Sequence, residues 1–430
     1  MRRIIEHVDA YTPQGMQPDV SIVIEDTKIR TIGDVDEQTY NEADEKIDGQ
    51  GMLALPGLVN AHTHVAMTLF RSYADDVALM DWLQDHIWPA EEKLTDELVY
   101  WGSQLAFAEM IRGGTTAFCD MYMHMDAVAE SAVDAGIRGT LARGLAGVSP
   151  NGAQALAENV ELFHRWHGSH DGLLKVMLGP HAPYTCPGEY IREVAATAKR
   201  EGMEVHIHLS ETQGEVDTCR EKHGMSPIAW MEELGLFEVP TLAAHCVHVD
   251  EQDLDILARY HVRVAHNPRS NLKLASGIAP LPAMQAKGIT VGLGTDGCSS
   301  NNKLDMFEEM QLAALLHKGN SQDPFAVTAK EALHLATKGG AQAIGYNEGL
   351  GTLEEGSLAD IILLDRSGYH WQPCYDVISS VAYSANSMDV DTVIINGKPV
   401  MRHREMLTID VARVREEMNQ AQRYFAELQK

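Results

Sequence analysis

Eight short apolar runs, with helix-like stretches between them, constrain this 430-residue chain more than any other feature. The first ends at His62. The others occupy 116–120, 139–143, 174–178, 205–209, 241–245, 262–266 and 290–294. Their length and apolar content read as strands. Helical patterns fill 96–112, 126–135, 153–166, 188–201, 251–259 and 305–317. Eight β-then-α units over roughly 250–300 residues is the arithmetic of a (β/α)8 barrel, a TIM-barrel α/β fold. An open doubly wound sheet is the alternative. No Gly-x-Gly-x-x-Gly follows an early strand, so a dinucleotide site has no support.

The flanks read differently. Residues 2–8, 20–25 and 28–32 look like short strands, with a hairpin turn at Asp26-Thr27, and 34–50 look acidic and irregular. Near the other end, 359–365 and 392–401 again read as strands, the latter folded over an Asn396-Gly397 turn. These segments predict a small β-sandwich domain assembled from both termini, 1–55 and 351–430, around a barrel at 56–350. A polar helical pattern at 411–428 ends the chain.

Charge narrows the partners. There are 34 Lys and Arg against 62 Asp and Glu, a net of −28. Such a surface repels nucleic acid and anionic membrane, and disfavours highly phosphorylated substrates. The N-terminus has no apolar core of a signal peptide, and no uncharged run is long enough to span a bilayer. The six cysteines are scattered without a Cys-x-x-Cys. They read as reduced thiols of a cytoplasmic protein rather than a disulfide framework or a cysteine zinc site.

The chemistry clusters where the strands end. His62 and His64 are two apart, so a strand points both imidazoles to one face, a half-built site for zinc or a similar ion. A bare His-x-His is more often a pair of satisfied histidines. Here further polar residues recur at later strand ends: His181, His208, His245, His266 and Asp296. A barrel places its catalytic groups at those ends. His206 and His208 share a face. His208 is nearer the mouth and lies three residues before Glu211, which is placed to shuttle protons; His206 reads as barrel filling. His245 could bind a metal or a substrate atom, and His248 reads as structural. Asp296, among glycines, could bind the metal and accept a proton from water. The polar turn 266–271 reads as support. A second metal would need a bridging ligand at the mouth of strand four, but Lys175 sits at the start of that strand, so one ion is expected.

Together, Pro56-Gly-Leu-Val-Asn-Ala-His-Thr-His64, His206-Ile-His-Leu-Ser-Glu211, Ala244-His245 and Gly294-Thr-Asp-Gly297 resemble the amidohydrolase superfamily, and within it the mononuclear deaminases. The resemblance covers nearly the whole chain. His86-Ile-Trp-Pro-Ala-Glu91 and Gly179-Pro-His-Ala-Pro-Tyr184 look like 5′-methylthioadenosine/S-adenosylhomocysteine deaminases. The resemblance implies that His62, His64, His208 and Asp296 hold one divalent ion, zinc first, with iron or manganese also compatible. It implies that Glu211, His245 and Asp296 perform hydrolytic deamination at C6 of an adenosine-type nucleoside. It further implies that Glu91 binds the ribose hydroxyls, His181 the purine side and Arg143 another part of the ligand, with Glu211 and Asp296 also touching substrate. For Arg143, a surface salt bridge is an equally good reading. Guanine deaminases and chlorotriazine hydrolases share the metal set and stand as alternatives, as does a silent scaffold barrel. Neither the rank order of nucleosides nor the oligomeric state, a homo-oligomer included, is written in the sequence.

Overall fold

The computed structural model describes residues 1–77 and 79–428. Among them, eight strands form one parallel sheet in chain order. They are β1 (Leu58–Thr63), β2 (Thr115–Tyr122), β3 (Arg138–Leu145), β4 (Leu174–Pro180), β5 (Val205–Leu209), β6 (Thr241–His245), β7 (Arg263–His266) and β8 (Val291–Leu293). Each falls on one of the eight runs expected from the sequence. Both faces of these strands are buried, which is why the runs are apolar throughout instead of alternating.

The sheet nearly closes into a barrel, and its seam carries part of the chemistry. The Asp296 backbone N–H donates to His62 O at 2.9 Å. Asn60 Nδ2 donates to Thr295 Oγ1 at 2.7 Å, and the Thr295 N–H returns to Asn60 Oδ1 at 3.0 Å. A Cβ on Gly294 would lie 2.8 Å from both His62 N and His62 O. Only glycine lets β1 and β8 approach this closely, so the approach that closes the barrel also brings Asp296 to His62 and His64.

A small β domain is built from both termini. Among the described residues its nine strands form one hydrogen-bonded sheet. Arg2–Thr12 pairs with Gly15–Glu25, and Met52–Pro56 lies between Arg2–Thr12 and Ile361–Asp365. Ile5, Ile22, Ile24, Ile361 and Leu363 are among the side chains of its own apolar cluster. The sequence reading of 34–50 as irregular is corrected here. Asp36 caps a short helix, Glu37–Asn41, and Glu45–Asp48 adds a parallel strand to Arg2–Thr12. Its acids pair with arginines some forty residues earlier, Arg2 with Glu42 and Arg3 with Glu45, which a local reading does not see.

Two connections bear on the site. Between β1 and β2, a π-helical turn at Trp82–Ile87 runs directly into a helical turn, Trp88–Glu91. Between β5 and β6 lie two helices, Gln213–His223 and Pro227–Glu233. The final helix, Val411–Leu428, packs on the barrel, with Phe425 against Phe70 at 5.0 Å between rings. No helix of the described residues is long and apolar enough to cross a membrane.

Candidate active site

The strand ends bring the expected histidines together. His62 Nε2 and His64 Nε2 lie 3.4 and 3.3 Å from Asp296 Oδ1. Ligand atoms of His62, His64 and Asp296 lie within 4.8 Å of one another, as do those of His62, His208 and His245. His62 therefore belongs to both groups, and the His64 and His208 ring centroids are 5.4 Å apart.

Neighbouring groups set which nitrogen each ring presents. His64 Nδ1–H donates to Met121 O, and His208 Nδ1–H donates to His181 O at 2.7 Å. His245 Nδ1–H donates to Asn271 Oδ1 at 2.8 Å. His62 Nδ1 shares a hydrogen bond with His206 Nε2 at 3.0 Å. In all four rings Nδ1 is engaged and Nε2 is left for the shared space, the arrangement that prepares imidazole to bind a metal. His206 is thus a buried support beneath His62, in keeping with its reading as barrel filling.

Asp296 is held as firmly. Its Oδ2 accepts from Ser270 Oγ at 2.6 Å and Ser300 Oγ at 3.0 Å, and its Oδ1 accepts from the Gly297 N–H at 2.8 Å. Burial alone would raise its pKa, but His62 and His64 hold it well below the usual carboxylate range. Burial pushes His62 down to about 4 and His208 well below its ordinary value. His64 overcomes its burial because Asp296 and Asp120 face it, and it rises to about 9. An ionised carboxylate sunk among imidazole nitrogens calls for a cation. His62 Nε2 is buried and makes no hydrogen bond among the described residues. That orphaned lone pair, the nearby carboxylate and the preset tautomers all fit a divalent ion of borderline softness.

The second wall holds Glu211, with Oε2 3.7 Å from His245 Nε2. Burial raises the pKa of the Glu211 carboxyl. Glu215, absent from the sequence reading, fixes this turn by accepting the N–H groups of Ser210 at 2.9 Å and Glu211 at 2.8 Å. Ser210, His245 and Asp296 all have left-handed backbone, with φ of 52°, 74° and 61°. Strain at three strand ends facing one centre is typical of a working site. The polar turn expected at 266–271 is instead the start of a short helix, Pro268–Lys273, whose Ser270 and Asn271 brace Asp296 and His245. His248 Nε2 hydrogen-bonds to Ser276 O at 2.6 Å, and Lys175 Nζ binds Gly345 O at 2.8 Å, away from the mouth.

A cavity of about 960 Å³ opens above these groups. Its walls include His64, His208, Glu211, His245 and Asp296, together with Glu91, His181 and Arg143. Burial carries Glu91 up to about 7, against the opposing influence of Tyr122 and His64. His181 is pushed down to about 4 by burial, and its Nδ1 is hydrogen-bonded to Thr185 Oγ1 at 3.0 Å. Arg143 lines the cavity while its guanidinium pairs with Glu158 at 2.8 Å. Tyr122 also lines the cavity, and Asp120 is buried behind it, near enough to His64 to raise its pKa. The sequence signal for them was weak, because Asp120 and Tyr122 are interleaved with Cys119, Met121 and Met123 at the end of β2, without a motif.

Comparisons with known proteins show the family. The amidohydrolase family model matches residues 53–400. A 5-methylthioadenosine/S-adenosylhomocysteine deaminase of Desulforudis audaxviator is 53% identical, over 86% of each chain. One from Dictyoglomus turgidum is 47% identical over 96% of each. Among solved structures, an adenosine deaminase from Xanthomonas campestris with bound zinc superposes with a TM-score of 0.94 at 33% identity, covering 99% of this chain and 98% of that one.

Proposed function

Because this chain belongs to the amidohydrolase family, and within it to the 5-methylthioadenosine/S-adenosylhomocysteine deaminases, we propose that it removes the 6-amino group of adenosine-type nucleosides by hydrolysis, giving the inosyl product and ammonia. One observation carries the reading: two buried ligand groups sharing His62 stand beside Glu211 in the cavity that also holds Glu91. His62, His64, His208 and Asp296 would hold one divalent ion, with zinc favoured by the zinc-bound relative. When bound, that ion supplies the Lewis acidity that activates water at neutral pH.

The remaining work belongs to side chains. Asp296, kept ionised by the facing histidines, accepts a proton from the attacking water. Glu211, whose buried carboxyl takes up protons more readily than usual, protonates the purine ring nitrogen and then helps the amine leave. His245, oriented by Asn271, stabilises charge as C6 becomes tetrahedral. Glu91 accepts both ribose hydroxyls, His181 meets the purine side, and Arg143 faces the outer part of the ligand. Glu92, Asp96, Asp126 and Glu158 line the outer cavity, which disfavours 5′-phosphates. Six unpaired cysteines suit a reducing cytoplasm.

The test is ammonia release from methylthioadenosine, S-adenosylhomocysteine, adenosine, 2′-deoxyadenosine and adenine by wild type and Glu91→Ala. Charge-assisted hydrogen bonds contribute ~1.5–3 kcal/mol each. The 5′-thio ribosides should therefore lead, and Glu91→Ala should shrink their advantage without changing metal content. Equal rates on adenine and the ribosides would reject this reading.

A further inference from the structure

Tyr122 ends β2 and lines the cavity beside Glu91. Its side chain is 5% exposed, yet among the described residues its hydroxyl has no hydrogen-bond partner. Leaving a buried donor unpaired is costly, and native structures keep few such groups without a reason. The neighbouring pair has a particular chemistry. A carboxylate only accepts hydrogen bonds, whereas a phenol also donates. A vicinal diol offers two O–H donors and, on its oxygens, lone pairs to spare.

From this complementarity we infer that Tyr122 is a further specificity-determining residue, whose hydroxyl donates to one ribose hydroxyl oxygen while the Glu91 carboxylate accepts the diol protons. The inference rests on the riboside reading above. The ring also packs against His64, with centroids 6.1 Å apart, so the hydroxyl must be tested separately from the ring.

Tyr122→Phe separates them. Without ligand the hydroxyl neighbours Glu91 but meets no hydrogen-bond geometry among the described residues, so the ligand-free variant should melt no lower than wild type and keep its metal. On adenosine, kcat/KM should fall roughly 3- to 10-fold, chiefly through KM. On 2′,3′-dideoxyadenosine, which has no diol, wild type and variant should match. Three results would each overturn the inference: unchanged kcat/KM on adenosine, an equal loss on both substrates, or a lower ligand-free melting temperature. The first makes the hydroxyl idle, the second assigns it to the His64 side, and the third makes it structural. If wild type itself releases no ammonia from any riboside, the riboside reading fails first and the inference falls with it.

Discussion

Two buried polar clusters sit at opposite ends of the barrel strands, and they differ in what remains unpaired. At the start of β3, Arg138 forms a bidentate pair with Asp360 at 2.8 and 2.9 Å. It also donates to Asn396 Oδ1 and Gly172 O, each at 2.9 Å. The Asn396 N–H closes the cluster on Asp360 Oδ1 at 2.8 Å. Arg138 and Asp360 are fully buried and well supplied with partners, and they tie the barrel to the small β domain. At the strand C-terminal ends, His62 Nε2 and the Tyr122 hydroxyl make no hydrogen bond among the described residues, and Ser210, His245 and Asp296 hold left-handed backbone. A satisfied cluster holds two domains together; an unsatisfied one, held rigidly by its surroundings, awaits a ligand. Burial is common to both, so burial alone does not mark function.

The largest effect should come from the working cluster. Glu211→Gln should retain metal and fold while turnover falls ~10²–10⁴-fold, the range for a general acid–base group. Steady-state and single-turnover ammonia release checks this, and near-normal chemistry would remove Glu211 from the mechanism. Next in size is the satisfied cluster. Asp360→Ala leaves Arg138 an uncompensated buried charge, a loss of ~3–5 kcal/mol in stability. Denaturant melts should show that loss, while kcat of the folded fraction stays at the wild-type value. A variant that lost turnover but not stability would erase the contrast. Smaller again is Ser270→Ala, which removes a 2.6 Å hydrogen bond to Asp296. Loss of such a supporting partner costs 10–100-fold in metal affinity or activity, at about the scale known for metal sites. Metal titration should detect it, with the melting curve of the metal-free protein little changed.

The two clusters were not equally legible in the sequence. All eight barrel strands were, because parallel strands buried on both faces write continuous apolar runs. The candidate ligands and Glu211 stood out because they sit at or just beyond strand ends, where a barrel places its working groups. Arg138, Asp360 and Asn396 did not, since their sequence separations exceed 200 between β3 and the C-terminal part. Glu215 was missed for a different reason. Its carboxylate turns back to the Ser210 and Glu211 N–H groups at the start of a charge-rich helix, where an acid reads as solvent-facing. Segment 34–50 was misread because of separation along the chain, since Glu42 and Glu45 pair with Arg2 and Arg3 some forty residues earlier.

The most direct test is the metal content of the purified, metal-replete chain beside His64→Ala and His208→Ala. The account predicts one divalent ion per wild-type chain, depleted in both variants, with chelation lowering the melting temperature of wild type alone. Two ions per wild-type chain, or one ion and full activity retained in either variant, would contradict it.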